Sequence, residues 1–236
     1  MDRDLLQHKT LVAAAIELYL DDPGQLTVPA IAETASVTPD VVYRYVDSSL
    51  FILPAFYDLC IPQYQAIRHA IEGYETFSLA ERLATFIFVL FDLLEEQRAF
   101  VERTFEPYII EQRMPSSFRD DVAASFAEIL DTDAIPPTNR LATDWPPLHQ
   151  ALAHAYLRLV RFWLNDPSPQ QKQTVALVDK LVAFFEELAL FRGIERGVDL
   201  LKYLVNIGLI DLDRLPFTRR WFDEPQERES GIGGRV

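Results

Sequence analysis

A chain of 236 residues that is 49% hydrophobic can bury a large core, in one elongated domain or two unequal ones. Its formal charge of −14 with only four lysines, Lys9, Lys172, Lys180 and Lys202, matches acid-rich, lysine-poor surfaces adapted to high salt, where self-repulsion is screened. The single Cys60 excludes an internal disulfide framework and reads as an inert buried thiol in a reducing cytoplasm. Asp2, Arg3 and Asp4 exclude a secretory leader, and the longest apolar run, Leu83 to Leu94, is too short for a bilayer and contains Asp92.

The first helical pattern runs from about Leu5 to Asp21, with Leu11, Ala14, Ala15, Leu18 and Tyr19 at intervals of three and four, and stops at Asp21-Asp22-Pro23-Gly24. Thr27 is an N-cap for a second helix of about two turns carrying Ile31, Ala32 and Ala35. Thr38, Pro39 at the first helical position and Asp40 in the first turn open a third helix, Pro39 to Tyr45. Asp47 and Ser48 can cap a fourth that starts near Ser49 with Leu50, Phe51, Ile52 and Leu53 and reaches about Glu72. Pro54 and Pro62 predict a bend or break within it. Three short helices with tight turns form a helix-turn-helix pattern.

This segment resembles the N-terminal domain of the tetracycline-repressor (TetR) family of transcriptional regulators. The matching residues are Leu11-Val12, Ala14-Ala15, Leu18-Tyr19, Val28, Ile31-Ala32, Ala35, Val37-Thr38, Val42-Tyr43, Tyr45 and Ser48. The resemblance implies an all-α fold: a three-helix head over residues 1–48, and a helical ligand-binding and dimerisation domain over residues 49–223. The tail, residues 224–236, reads as disordered. It also implies DNA contact through Thr27, Thr38, Pro39, Asp40, Val41, Tyr43, Arg44, Tyr45, Ser48 and Ser49. Asp40 either complements the helix dipole or accepts from a cytosine amino group, and Arg44 serves a guanine or a phosphate.

The chain departs from the family where DNA is met. Ser36 stands where relatives carry Gly, at a backbone position suited to positive φ, at a cost of about 1 kcal/mol. Pro39 and Asp40 replace a usual basic residue, and Ser49 replaces a phosphate-holding Lys. Between Met1 and Cys60 three cations, Arg3, Lys9 and Arg44, face nine anions, a formal charge of −6 on a module expected to approach a polyanion.

Ser78 and Glu81 form a capping box for a long fifth helix, Leu79 to about Phe105, apolar almost all round. Pro107 and Pro115 are expected to break the chain around a short segment, and Ser116 or Ser117 to cap a helix reaching about Leu130. Asp131 to Pro147, with four prolines, reads as a loop. Residues 148–164 and 170–192 then form a helical hairpin with wide apolar faces. By resemblance this hairpin builds a homodimer through a four-helix bundle. Gly193 ends it, a further helix spans residues 194–210, and Phe217, Trp221 and Phe222 hold part of the tail down.

No enzyme motif stands out. His8, His69, His149 and His154 form no paired Glu-x-x-His, His149 and His154 lie five apart, and there is no Gly-rich phosphate loop, Gly-x-Ser-x-Gly or Cys-x-x-Cys, so no metal or cofactor is expected. The 16 Phe, 9 Tyr and 3 Trp suit an apolar pocket, with Tyr64, Phe88, Phe91, Arg103, Tyr108, His154, Tyr156, Arg158 and Trp163 as its candidate lining. The sequence therefore reads as a ligand-responsive, DNA-binding regulator. The alternative is a TetR-like small-molecule or lipid carrier that has lost DNA binding.

Overall fold

A computed structural model of the chain describes residues 3–46 and 48–191, and among them every regular element is helical. The expected cap Asp47, the helix at residues 194–210, the aromatic clamp Phe217, Trp221 and Phe222 and the tail at residues 224–236 lie outside the described residues. Helix α1 (Arg3–Asp21) buries Leu11, Ala15 and Ile16 against Ile31 and Ala32 of α2 (Val28–Thr34) and Val42 of α3 (Pro39–Val42). Thr27 caps α2 as expected, its hydroxyl accepting from the Ala30 amide at 3.3 Å. The third helix is shorter than its pattern. It is α-helical only to Val42 and continues to Val46 as turns, with Arg44 bonding Val41 and Tyr45 bonding Val42 at i−3 spacing.

Between α2 and α3, Ser36 has φ 55. The Ser36 amide donates to the Glu33 carbonyl at 3.0 Å and the Val37 amide to Ala32 at 2.9 Å, the paired bonds of a helix C-terminus that needs a left-handed residue. Ser36→Gly should therefore stabilise the protein by about 1 kcal/mol. A urea midpoint that stays put or falls would contradict that strain.

The expected fourth helix is three pieces: a 3₁₀ turn (Ser49–Ile52), α4 (Ala55–Asp58) and α5 (Cys60–Ala70). Pro54 sits at the cap of α4 and Pro62 in the first turn of α5, positions where their missing N–H costs little. Gly73, at φ 75, turns the chain into α6 (Leu79–Glu95), whose capping box forms as expected.

The expected helix to Phe105 is interrupted. At Gln97 the backbone leaves helical geometry (φ −127, ψ 40) and restarts as α7 (Arg98–Thr104). Arg98 fixes the break: it bonds Glu95 at 2.9 Å, Glu102 at 2.8 Å and the Leu164 carbonyl at 3.2 Å, and lies over the Trp163 ring. The new phase buries Phe100, Val101 and Phe105.

Pro107 does not break the chain, contrary to expectation. The six residues Phe105–Ile110 adopt π geometry, which widens the turn where proline can neither donate nor tolerate the carbonyl four residues back. Helix α8 (Phe118–Leu130) follows. The loop expected from Asp131 to Pro147 contains α9 (Pro137–Thr143), started by Pro137 at its first position. Asn139 of α9 donates to the Ala189 carbonyl at 2.7 Å, which gives this short helix a fixed place.

The hairpin is α10 (Pro146–Leu164) and α11 (Lys172–Ala189), the latter starting two residues later and ending three earlier than its pattern. Asp166 closes the turn between them, accepting from both the amide and the hydroxyl of Ser168 and of Thr174. The core runs continuously from Leu11 to Ala189. Among the described residues no helix is long and apolar enough to cross a membrane.

Candidate nucleic-acid interface

The folding of the head decides which of the ten DNA candidates face outward. Val42 and Val46 are buried, and this turns Thr38, Pro39, Asp40, Tyr43 and Arg44 to the surface, with Tyr43 at 56% exposure. Thr27 is exposed beside the start of α2, and Val41 is half-buried against the head core. Ser48 and Ser49 are half-buried, and the Ser49 hydroxyl is engaged with the Leu26 carbonyl at 2.9 Å.

Tyr45 points back into the head. Its ring stacks on His8 at 4.6 Å and its hydroxyl donates to the Asp4 carboxylate, so it ties the turns that follow α3 to α1. The His8 ring is the part of this anchor that sequence reading missed. Burial lowers its pKa, with Asp4 and Asp58 opposing, and its Nε2 is buried without a hydrogen-bond partner among the described residues. The signal was present in the i, i+4 pair Asp4 and His8 on the first turns of α1.

The head's charge is uneven. Lys9 turns away to the body, pairing with Glu96 at 3.0 Å. Arg44 is exposed and makes no ion pair among the described residues; Arg3 is exposed as well.

The pocket candidates divide into three groups. Tyr64, Phe91, Tyr156 and Trp163 come together in a buried aromatic column through Phe86: Tyr64 to Phe86 at 4.9 Å, Phe86 to Tyr156 at 5.9 Å, Tyr156 to Phe91 at 6.2 Å and Phe91 to Trp163 at 5.2 Å. Phe88 flanks it, half-buried, 6.4 Å from Phe91. His154 and Arg158 are exposed on α10 and do not line this column, because the face that buries Tyr156 and Trp163 leaves residues 154 and 158 outward. Arg103 is also exposed, reaching the Leu20 carbonyl at 3.5 Å, and Tyr108 lies in the π segment beside Tyr19. Within the column the Tyr156 hydroxyl is buried with no hydrogen-bond partner among the described residues.

Asp58 joins the head's side of the chain to the body and was not foreseen. One oxygen accepts from the Ser116 hydroxyl at 2.6 Å, the Ser117 amide at 2.9 Å and the Phe118 amide at 3.2 Å. Ser117 is the N-cap residue but makes no capping bond with its own side chain; the Ser116 hydroxyl accepts from the Phe118 amide at 3.2 Å, and Asp58 of α4 shares the capping. An acid embedded in the apolar run Tyr57-Asp58-Leu59-Cys60-Ile61 was the signal for a buried partner. Cys60 is fully buried, as its neighbours implied, and burial pushes its thiol well above the ordinary range.

A three-helix head with an outward recognition segment, set on a helical body, defines the helix-turn-helix regulators of all-α build. The family description "Tetracyclin repressor-like, C-terminal domain" matches residues 82–204, more than half of the chain. The chain belongs to the tetracycline-repressor (TetR) family of transcriptional regulators. A solved structure, the TetR transcriptional regulator from Nitrosomonas europaea ATCC 19718, is similar in fold with a TM-score of 0.54 and 18% identity, over 75% of this chain and 96% of that one. No curated protein matches the sequence.

Proposed function

We propose that this protein is a homodimeric, ligand-responsive repressor that binds DNA through residues 1–48 and dimerises through the α10–α11 hairpin of a body spanning residues 49–223. The observation that carries the reading is the outward set Thr38, Pro39, Asp40, Tyr43 and Arg44, held from behind by buried Val42 and by the Tyr45–His8 stack. Amides at the start of α3, the Tyr43 hydroxyl and Arg44 supply phosphate and base-edge donors. The dimer reading rests on a stripe at i, i+3, i+7 and i+10, Leu181, Phe184, Leu188 and Phe191, which stays exposed on one protomer together with Phe162 of α10. A small apolar effector with one polar group would enter the body beside the unpartnered Tyr156 hydroxyl and alter the separation of the two heads.

Because each head offers Arg3 and Arg44 among its described residues, a dimer neutralises about four phosphates, and the slope of log affinity against log salt should be about −3 to −4. A mobility-shift titration across a salt series, with DNA from the protein's own operon region, reads that slope. Arg44→Ala should weaken specific binding by about 10-fold or more and flatten the slope by about 2 per dimer. No sequence-specific shift at any salt would reject this reading in favour of a carrier without DNA function, the reading that the acidic head supports.

A further inference from the structure

The π segment Phe105–Ile110 and the approach to α8 enclose a cleft of roughly 140 Å³ that the aromatic column does not use. We propose that this cleft binds a small organic monocarboxylate, with the Arg119 guanidinium as its anion partner. Arg119 lines the cleft together with Tyr108, Gln112 and Ser116 on its polar side and Ile109, Met114 and Pro115 on its apolar side.

Among the described arginines of the body, Arg68, Arg98, Arg113, Arg140 and Arg161 each reach a carboxylate, whereas Arg82, Arg103, Arg119 and Arg158 do not. Arg119 alone of these four leaves a guanidinium N–H buried and unmatched: its Nη2 donates to the Ile109 carbonyl at 3.2 Å, and its Nε–H is buried with no hydrogen-bond partner among the described residues. A buried donor on a permanent cation is costly to leave unmatched, and a carboxylate is the acceptor whose geometry suits a guanidinium edge. Tyr108 adds a hydroxyl that is already hydrogen-bonded with Tyr19 and can turn to a ligand only by leaving it. Burial, with Tyr19 beside it, pushes this phenol up to about 12, so it remains a neutral donor at physiological pH.

The class of ligand follows from charge and size. Glu111, Asp120 and Asp121 flank the cleft in sequence and Asp58 already holds Ser116, so a dianion meets repulsion that a monoanion largely escapes. The apolar wall of Ile109, Met114 and Pro115 calls for a hydrocarbon part. A cleft of this size admits a carboxylate with a short tail. Ser116 belongs both to the cleft and to the Asp58 cap of α8, so occupation is felt at the join between α4 and α8.

Isothermal titration of the full chain with sodium acetate, butyrate and hexanoate, and with butyramide and inorganic phosphate as controls, tests the assignment without DNA, so its failure and that of the regulator reading are separate results. The expected outcome is saturable binding of one carboxylate per chain, with the amide and phosphate at least about 10-fold weaker. Arg119→Met should weaken carboxylate binding at least 10-fold. Should that variant not fold, Met114→Trp, which fills the cleft and keeps Arg119, should abolish the signal. Equal binding of amide and carboxylate, full competition by phosphate, or carboxylate affinity unchanged in both variants would overturn the proposal, as would no saturation below ~10 mM.

Discussion

Phe184→Lys combined with Leu188→Lys should convert the protein to a monomer and lower its DNA affinity at least 100-fold, with little change in the melting temperature of the protomer. Both residues lie on α11 with exposures of 64% and 54%, so neither supports the protomer's own core. In a two-fold interface each occurs twice, and burial of a large apolar side chain contributes about 1.5–3 kcal/mol. Four lost side chains therefore remove roughly 6–12 kcal/mol, against about 1.4 kcal/mol for each tenfold in the dimer constant. Lysine is the useful replacement because it adds positive charge. Lost DNA binding then cannot be ascribed to repulsion by the phosphates, and it reports the loss of two linked heads. Sedimentation at micromolar concentration reads the first effect and a mobility shift the second. A variant that stays dimeric would place the interface elsewhere.

Asp58→Ala should cost about 3 kcal/mol and lower the melting temperature by about 10 °C, because it removes a charged acceptor from three donors at the start of α8, of which only the Phe118 amide keeps another acceptor, the Ser116 hydroxyl. Asp58→Asn keeps an acceptor oxygen and should lose much less. The two also separate by pH. Burial raises the Asp58 carboxyl above its ordinary value, with the Ser116, Ser117 and Phe118 bonds opposing, so the native protein holds this proton more tightly than the unfolded chain does. Stability from that difference is fully present below the unfolded pKa and is lost as pH rises through the higher native one. Wild type minus Asn variant, measured by chemical denaturation, should therefore fall across that window and then level off. A difference that grows with pH would contradict the assignment of burial as the dominant cause.

What sequence reading captured was local chemistry. The Thr27 cap and the Ser78–Glu81 capping box are decided by residues within a few positions of one another, and so were open to inspection. The left-handed Ser36 was legible only through the resemblance, because relatives carry Gly at that position. The breaks were not. Gln97 leaves the helix because Arg98 finds the Leu164 carbonyl 66 residues away, and Asp58 caps a helix 58 to 60 residues further on. Such partners have no fixed spacing in the chain. Pro107 misled because proline was weighed against an α-helix alone, while the π turn accommodates it. In the candidate interface, the exposed set followed from helical phase, whereas the inward turn of Tyr45 required the position of Asp4 and His8 across the head. Pocket residues fared least well on α10, where aromatic content drew attention to 154 and 158 although the buried face passes through Tyr156, Val160 and Trp163.

The central claim is that two heads present their α3 tips to one face of a duplex. Because Cys60 is fully buried, a single added cysteine at Asp40 can carry a spin label, and pulsed dipolar spectroscopy on the effector-free dimer then reads the span between the two tips. The main population should lie near one helical turn of DNA, about 34–36 Å, broadened by the label arms. A distribution centred beyond about 50 Å, or no dipolar coupling because the protein is monomeric, would contradict it.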